Sequence, residues 1–381
     1  MPYQPDDFLA THFNSNGRDL TAQVDAQLRQ IAPDSPNLSL YRDMMLTVLR
    51  MAEDDSNRWN AKITLQALRE LTHAFRALEQ YRGRRKVTVF GSARTPLEHP
   101  LYAQATELGA ALAAAGMMVI TGGGGGIMAA AHKGAGREHS LGFNITLPFE
   151  QHANATIDGT EQLLPFHFFF IRKLFFLKEA DALVLCPGGF GTLDEAMEVL
   201  TLIQTGKSPL VPVVLLDTPD GGFWQGALDF IRQQLEANRY ILPSDLKLLR
   251  LVHSAEEAVA EIDRFYNNFH STRWLQKLFI IRMHHPLSEA AMQSIRTEFA
   301  SLCLSDTFVQ QAYDGAQHNE PEFSHLSRLG FNFNGRDQGR LRELVDFINE
   351  PEHWAHVSGA SGRDAEQPLT AQTSAQPREH S

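Results

Sequence analysis

The sequence predicts an α/β protein with a Rossmann-like, doubly wound and mostly parallel sheet. Short runs of apolar residues alternate with helical segments through the middle of the chain. The runs are continuously apolar, which is typical of strands covered by helices on both faces. Glycine turns follow three of them, as expected where a strand feeds directly into a helix. These three runs are 87–90, 117–121 and 182–186.

Composition limits the classes of partner. The chain has 381 residues and is 43% hydrophobic, which is enough for a sizeable core and more than one domain. The net charge of −11 and the pI near 5.8 argue against a nucleic-acid polymer or an anionic membrane as the main partner. A mononucleotide remains compatible, because a glycine turn with one arginine can hold a single phosphate.

The chain carries few marks of secretion or metal binding. Cys186 and Cys303 are its two cysteines, too few for a disulfide framework. The first residues have no basic n-region and no apolar h-region, and no run approaches about 18 apolar residues. We therefore expect a cytoplasmic protein with no membrane partner. His284 and His285 lack a Cys or Glu at ligand spacing, so no metal site is expected.

Four segments are predicted. Residues 1–85 form an N-terminal helical segment, because apolar residues recur at helical spacing in 38–52 and 61–81. The Rossmann-like domain covers 86–268, with further strands at 141–147, 210–216 and 249–252. A small α+β appendage covers 269–352, with strands at 278–283 and 326–333 and helices at 288–302 and 338–348. The tail 353–381 is rich in Ser, Gly, Ala and Gln and is predicted to be disordered.

The most informative stretch is the turn Pro187-Gly188-Gly189-Phe190-Gly191-Thr192, which lies between a buried strand and a helix predicted to start near Thr192. Glycines let a phosphate approach the backbone, and the N–H groups and the dipole of the helix N-terminus attract it. The predicted phosphate ligands in this turn are Gly188, Gly189, Gly191 and Thr192.

Two charged residues frame this turn. Arg172 lies in the helix before the strand, and Glu195 lies in the helix after the turn, so both can face one pocket. A phosphate site beside an arginine and a glutamate suggests chemistry on a phosphorylated sugar. A second interpretation stays open, because Thr192 and Glu195 also have the spacing of a capping box, which would make them purely structural.

A second glycine run, Gly122 to Gly126, joins another strand to a helix. It is neither a dinucleotide fingerprint, since position 127 is Ile, nor a P-loop, since no Gly-Lys-Ser/Thr follows. A third turn contains Gly91 and Ser92. All three turns follow strands and can line one crevice at the carboxyl edge of the sheet. Some of the five glycines could serve only close helix packing.

These motifs resemble the LOG family. The segment PGGFGTLDE at 187–195 fits its PGGxGTxxE signature, Arg172-Lys173 fits its upstream Arg-Lys element, and the second glycine run with Met128 resembles its GGG…GIM element. The resemblance covers about 86–266 and is closer to the longer bacterial members. It implies hydrolysis of the N-glycosidic bond of nucleoside 5′-monophosphates such as AMP or cytokinin riboside monophosphates, without metal or organic cofactor.

The resemblance also implies roles for residues. Glu195 and Arg172 are the expected catalytic pair. Lys173 is an expected substrate contact, although a solvated neighbour of Arg172 is an equal alternative. The remaining expected contacts to the substrate are Gly122, Gly123, Gly124, Gly125, Ser92 and Met128. The family further suggests a homodimer or larger homo-oligomer.

Two other functions remain open. Some relatives on this fold bind a nucleotide or the molybdenum cofactor without catalysis, and such a protein would not need Glu195 with Arg172. Many members also carry an older label, lysine decarboxylase. That chemistry needs a pyridoxal phosphate lysine, and no feature marks Lys173 or Lys178 as one.

Overall fold

The computed structural model describes residues 14–15, 18–54, 57–146 and 152–355. The chain forms two compact units, Met1–His73 and Ala74–Ser381. The predicted boundary between 268 and 269 falls inside the second unit, directly before a strand. Within the described residues no helix is both long and apolar enough to span a membrane.

The first unit is mainly helical. Strands β1 (Asn14–Ser15) and β2 (Arg18–Asp19) pair antiparallel. Helix α1 (Leu20–Ile31) packs on α2 (Leu38–Glu53) through the buried side chains of Val24 and Leu46. The predicted helices at 38–52 and 61–81 are confirmed as α2 and as α3 (Arg58–Leu78), which ends in a 3₁₀ turn.

The core of the second unit is a seven-stranded sheet in which every neighbouring pair is parallel, which confirms the predicted fold class. Its spatial order is β6-β5-β4-β3-β7-β8-β9. The strands are β3 (Lys86–Phe90), β4 (Met118–Thr121), β5 (Ser140–Ile145), β6 (Leu163–Phe166), β7 (Ala182–Leu185), β8 (Val213–Leu216) and β9 (Leu249–Val252).

Strand β3 lies at the switch point of this order. From β3 the chain winds outward through β4, β5 and β6, and then returns to the other side of β3 with β7. All residues of β3, β4, β7 and β8 are buried, as expected for strands covered on both faces. A doubly wound sheet binds ligands beyond its carboxyl edge at such a point, and here the flanking strands are β4 and β7.

Six helices of the central domain are found among the described residues, and two of them pack very closely. A Cβ on Gly109 of α4 would collide with the backbone of Ala131 in α5, and a Cβ on Gly134 of α5 would collide with Thr106 in α4. Both glycines therefore allow direct backbone contact. The helices are α4 (Pro100–Ala114), α5 (Ile127–Ala135), α6 (Phe169–Lys178), α7 (Phe190–Gln204), α8 (Phe223–Phe230) and α9 (Ala255–Phe265).

The appendage is built on an antiparallel sheet of order β10-β11-β13-β12. The sequence predicts β11 (Leu278–Met283) and β13 (Ser327–Phe331) but misses β10 (Phe269–Leu275) and β12 (Val309–Gln311). It also misses β6 in the central sheet, which contains Pro165. The appendage helices are α10 (Glu289–Glu298), α11 (Gly315–His318) and α12 (Gln338–Ile348).

Polar contacts fasten α12 to the central domain. Arg342 is fully buried and pairs with Glu261 of α9 and, at 2.9 Å, with Asp346. The side-chain oxygen of Asn349 accepts hydrogen bonds from the N–H groups of Asn268 and Phe269. Beyond α12, the ring of His353 stacks on Phe347 at 3.7 Å between centroids. The rest of the predicted tail, from residue 356, lies outside the described residues.

Candidate active site

The three glycine turns meet at the carboxyl edge of β4, β3 and β7. The N–H of Ser92, after β3, donates to the carbonyl oxygen of Pro187 at 3.2 Å, and the carbonyl oxygen of Ser92 accepts from the N–H of Ile127 at 3.0 Å. Ser92 therefore joins the turn after β7 to the helix that follows the second glycine run. Its Oγ accepts from the N–H of Arg94, so the side chain serves the turn itself.

The turn after β7 is packed on one side and open on the other. A Cβ on Gly188 would collide with the side chain of Thr192 and come within 3.0 Å of the N–H of Ser92. A Cβ on Gly189 or Gly191 would meet no heavy atom within 4 Å. The open side exposes the backbone of Gly189 and Gly191, where a ligand can approach.

Helix α7 begins earlier than the sequence predicts, and the capping-box interpretation is wrong. Gly189 is the N-cap, its backbone is extended, and Thr192 is the third helical residue. The N–H of Thr192 already donates to the carbonyl oxygen of Gly189 at 3.1 Å. Helix geometry leaves the N–H groups of Phe190 and Gly191 without an intrahelical acceptor. Glu195 lies in the second turn, too far along to serve as a cap partner.

The glycine run after β4 needs glycine for two reasons. Gly123 and Gly126 have φ of +75° and +61°, a left-handed conformation that side chains disfavour. A Cβ on Gly122 would collide with the guanidinium of Arg172 and come within 2.8 Å of Met128 Sδ. The run therefore lies directly against Arg172, and Met128 borders the same place.

A polar network that the sequence analysis missed holds this run. Asn154 Nδ2 donates to the carbonyl oxygens of Gly123 at 3.1 Å and Gly124 at 3.2 Å, and it contacts His132 Nδ1 at 3.1 Å. His132 Nε2 lies 3.2 Å from Thr121 Oγ1, which accepts from the N–H of Gly123. Burial lowers the pKa of His132 to about 4, so the ring is neutral at neutral pH. In the sequence, the signal for this network was His132, a histidine among the alanines of α5.

Arg172 is held rigidly beside the turns. Its Nε donates to the carbonyl oxygen of Phe143 in β5 at 2.7 Å, and its guanidinium lies 5.0 Å from the ring centroid of Phe176. Burial lowers the pKa of Arg172 to about 10, and the nearby Glu195 acts against that shift. The side chain remains cationic at neutral pH, and one of its terminal nitrogens lies against Gly122.

Glu195 is a largely buried carboxylate among charged neighbours. Its side chain is only 12% exposed, and its Oε1 lies 3.9 Å from Lys173 Nζ. Burial raises the pKa of Glu195 to about 7, helped by Glu198 and Asp194, while Lys173 and Arg172 lower it. The effect of burial therefore exceeds that of the two cations, and Glu195 titrates near neutral pH.

Lys173 is not a solvated neighbour of Arg172. Its Nζ lies 2.8 Å from Asp194 and 2.5 Å from Glu198, so it joins α6 to α7 beside Glu195. Burial alone would lower the pKa of Lys173, but the carboxylates of Asp194, Glu198 and Glu195 raise it above its ordinary value. Its visible contacts are with these carboxylates, and its predicted contact with substrate remains a prediction.

The two histidines of the appendage, His284 and His285, contact aromatic rings. Among the described residues no group of three or more His, Cys, Asp or Glu side chains could hold a metal ion. His285 stacks on Trp354 at 4.3 Å between ring centroids, and His284 lies 5.5 Å from His270.

Comparison with known proteins places the match on this domain. A family model described as "Possible lysine decarboxylase" matches residues 125–262. A probable cytokinin riboside 5′-monophosphate phosphoribohydrolase of Oryza sativa subsp. japonica is 33% identical over 94 residues, 25% of this chain and 43% of its own length. A cytokinin riboside 5′-monophosphate phosphoribohydrolase of Arabidopsis thaliana, a LOG protein, is also 33% identical over 94 residues. The chain spans less than half the length of these relatives.

Two solved structures also align with the chain. A molybdenum cofactor binding protein from Rippkaea orientalis aligns with 47% of this chain and 96% of its own, at 22% identity and a TM-score of 0.34. The molybdenum cofactor carrier protein of Chlamydomonas reinhardtii aligns with 48% of this chain and 98% of its own, at 22% identity and a TM-score of 0.32.

Proposed function

The chain belongs to the LOG family through its central domain, and on this basis we propose that it is a phosphoribohydrolase. In the proposed reaction, water cleaves the N-glycosidic bond of a purine nucleoside 5′-monophosphate, either AMP or a cytokinin riboside 5′-monophosphate. The products are the free base and ribose 5-phosphate. Preference for the second substrate would give the protein a role in cytokinin biosynthesis.

Glu195 is the proposed catalytic carboxylate. Cleavage of this bond passes through an oxocarbenium-like state, and a carboxylate beside C1′ stabilises its positive charge. The same group orients or deprotonates the attacking water. With its pKa raised to about 7, Glu195 is a stronger base than an ordinary glutamate and is still partly ionised at neutral pH.

The turns around Glu195 supply the proposed phosphate site. The N–H groups of Phe190 and Gly191 point out of the first turn of α7, where the helix dipole favours an anion. Arg172 is the proposed contact to the ribose or the base. The other proposed contacts to the nucleotide are Gly122 to Gly125, Gly188, Gly189, Thr192, Ser92, Met128 and Lys173.

One observation carries the proposal: Glu195 is a buried carboxylate that has no capping role and lies beside two cations at the meeting point of three glycine turns. Burial of an ionisable group costs stability, so a carboxylate kept there without a structural function favours a catalytic one. This argument favours the enzyme over a carrier, which would need the glycine turns but not Glu195.

Decarboxylation through pyridoxal phosphate does not fit the lysines of this site. A Schiff-base lysine must become neutral to react. Lys173 is instead held between carboxylates that raise its pKa, and Lys178 Nζ lies 2.6 Å from Glu179 Oε1. We therefore assign no cofactor to the proposed reaction.

The test is to incubate the pure protein with AMP and with isopentenyladenosine monophosphate and to follow the free base by chromatography. We expect release by the wild type and by Glu107→Gln, a control at an exposed position of α4. Glu195→Gln should lose turnover by at least about 10³-fold while still binding AMP, because it keeps the shape but not the charge. Binding of AMP without release by the wild type would instead favour a nucleotide-binding protein.

A further inference from the structure

The glycine run after β4 contacts a turn that lies in the chain between β5 and β6. In this turn the N–H groups of Ile157 and Asp158 donate to the carbonyl oxygen of Asn154 at 3.1 and 3.0 Å. The side-chain oxygen of Asn154 accepts from the N–H of Thr156 at 3.3 Å. The turn thus uses the acceptors of Asn154, and the NH2 group of its side chain faces the glycine run.

Asn154 binds two successive carbonyl oxygens of the run. Its backbone N–H donates to the oxygen of Gly123 at 2.8 Å. Its Nδ2 donates to the same oxygen at 3.1 Å and to the oxygen of Gly124 at 3.2 Å. The N–H of Gly123 donates to Thr121 Oγ1 at 3.0 Å. One residue, 30 positions from Gly124 in the sequence, therefore fixes two peptide units of the run.

His132 helps to orient the amide of Asn154. The ring is fully buried, its Nδ1 lies 3.1 Å from Asn154 Nδ2, and its Nε2 lies 3.2 Å from the carbonyl oxygen of Leu141. An amide nitrogen donates, so Nδ1 is the acceptor, and the proton of the neutral ring is on Nε2, where it faces Leu141. An acceptor at Nδ1 favours the amide orientation in which the NH2 group of Asn154 faces inward.

The bound carbonyl groups determine where the next N–H groups point. In a planar trans peptide the C=O of one residue and the N–H of the next point in opposite directions. The oxygens of Gly123 and Gly124 point toward Asn154, so the N–H groups of Gly124 and Gly125 point away from it. Glycine restricts its dihedral angles very little, so without these hydrogen bonds either peptide unit could turn over.

The two N–H groups are available to a ligand. In the described part of the chain no oxygen accepts from the N–H of Gly124 or of Gly125, although Gly124 is buried. Buried backbone N–H groups nearly always have a partner, so an acceptor from a bound molecule fits here. The neighbouring Gly122 lies against the guanidinium of Arg172. Two N–H donors beside a cation are suited to an oxygen of a phosphate group.

We propose that Asn154 is a positioning residue, which turns the N–H groups of Gly124 and Gly125 toward the phosphate of the bound nucleotide. If either peptide unit turned over, a carbonyl oxygen would face the phosphate and repel it. The inference rests on the nucleotide site of the proposed function. It adds the residue that makes the glycine run a donor of hydrogen bonds.

The test is calorimetric titration with AMP, carried out in Glu195→Gln so that the nucleotide is not consumed. Asn154→Asp keeps the shape of the side chain and the acceptor for Thr156, but it replaces the NH2 group by an oxygen that repels the two carbonyl groups. We expect the Kd for AMP to rise by about tenfold, the loss of roughly one charge-assisted hydrogen bond. The number of AMP molecules bound per chain should stay the same. A variant that was only partly folded would instead bind fewer molecules at unchanged affinity.

Two further variants separate the lost donor from the added charge. Asn154→Ser removes the NH2 group without adding a charge and keeps an oxygen for the N–H of Thr156, so it should also weaken AMP binding. The matched control is Asn238→Asp. Asn238 is exposed, and its Nδ2 likewise donates to a backbone carbonyl oxygen, that of Gln234 at 2.7 Å. This control should bind AMP like Glu195→Gln alone.

The proposal is overturned if Asn154→Asp or Asn154→Ser binds AMP as tightly as the Glu195→Gln parent, or if the parent binds no AMP. The titration does not depend on turnover. Absence of base release by the wild type, with AMP still bound, would therefore contradict the hydrolase proposal alone.

Discussion

At the scale of single residues, the proposed activity depends on the ionisation of Glu195. Three carboxylates, Asp194, Glu195 and Glu198, share one ammonium group on Lys173. Burial and the two acidic neighbours favour the protonated form of Glu195, and the cations Lys173 and Arg172 favour the ionised form. The pKa of Glu195 therefore lies at about 7, far above the pKa of an exposed glutamate.

The first prediction is a rise of kcat/KM with pH, with its midpoint at about 7. In the proposed reaction Glu195 must be ionised to stabilise positive charge at C1′, so we expect activity to be lost as pH falls through its pKa. Initial rates of AMP hydrolysis between pH 5 and 9 measure this. A midpoint near 4.5 would mean that burial does not govern this carboxylate.

Lys173→Met tests whether this lysine lowers the pKa of Glu195. Loss of the ammonium group 3.9 Å away removes a cation that lowers the pKa of Glu195, so the midpoint should move up by about one pH unit. Lys207→Met, at an exposed position beyond α7, should keep the wild-type midpoint. An unchanged profile for Lys173→Met would show that this lysine does not act on Glu195.

The second prediction concerns stability. The pKa of Glu195 is raised from 4.5 in the unfolded chain to about 7 in the fold, so the folded state binds the proton more tightly. Its favourable contribution is therefore present below pH 4.5 and lost as pH rises through 7. Glu195→Gln should raise the free energy of unfolding by up to about 3 kcal/mol at pH 8 and by almost nothing at pH 4. Urea unfolding at both pH values measures the difference, and equal effects at both would contradict the assignment.

At the scale of elements, the strand order assembles the site. Each of the three glycine turns is local in sequence, but β4, β3 and β7 become neighbours only in the sheet. The turn after β7 then fixes where α7 starts, and hence which groups of its first turn remain available. With Thr192 as the N-cap instead of Gly189, the first two N–H groups of the helix would be those of Leu193 and Asp194 instead of Phe190 and Gly191.

A matched pair of glycine substitutions tests this turn. Gly188→Ala places a Cβ against the side chain of Thr192 and near the N–H of Ser92, so we expect a lower melting temperature and a loss of AMP hydrolysis. Gly189→Ala meets no atom within 4 Å at an ordinary φ of −87°, so its melting temperature should stay within about 2 °C of wild type. Thermal unfolding of both variants measures this difference in melting temperature. If both substitutions lowered the melting temperature equally, the close contacts of Gly188 with Thr192 and Ser92 would not be the cause, and the prediction would be wrong.

At the scale of the whole molecule, large apolar side chains remain exposed next to the candidate site. Phe190, within the turn, is 93% exposed. On neighbouring α6 and α7, the other large exposed side chains are Phe169, Phe170, Leu174 and Met197. Such a group of exposed apolar side chains is typical of an interface between proteins. We propose that a second copy of the chain covers it.

The last prediction follows from this surface. Leu174→Asp introduces a charge into this apolar group and should convert the proposed dimer to a monomer. Phe230→Asp introduces the same charge at an exposed phenylalanine of α8 and should not. Light scattering coupled to size-exclusion chromatography measures the mass of each. A wild-type monomer at micromolar concentration would contradict the proposal.

The sequence by itself determined the fold class, the three glycine turns and the candidate pair Arg172 and Glu195, because apolar runs, glycine and charge are local properties of the chain. It could not locate β6, β10 or β12, whose residues become strands through pairing with distant neighbours. It placed the start of α7 too late, since the side chain of Thr192 suggested a cap while the extended backbone of Gly189 provides one.

Only the tertiary structure decided how the site residues meet. The contacts of Asn154 and His132 with the glycine run join segments that the sequence separates. Lys173 is paired instead of solvated because α6 and α7 lie side by side across the turn. The raised pKa of Glu195 likewise depends on burial and on charges brought together by folding, and burial is a property of the packed molecule that no local pattern encodes.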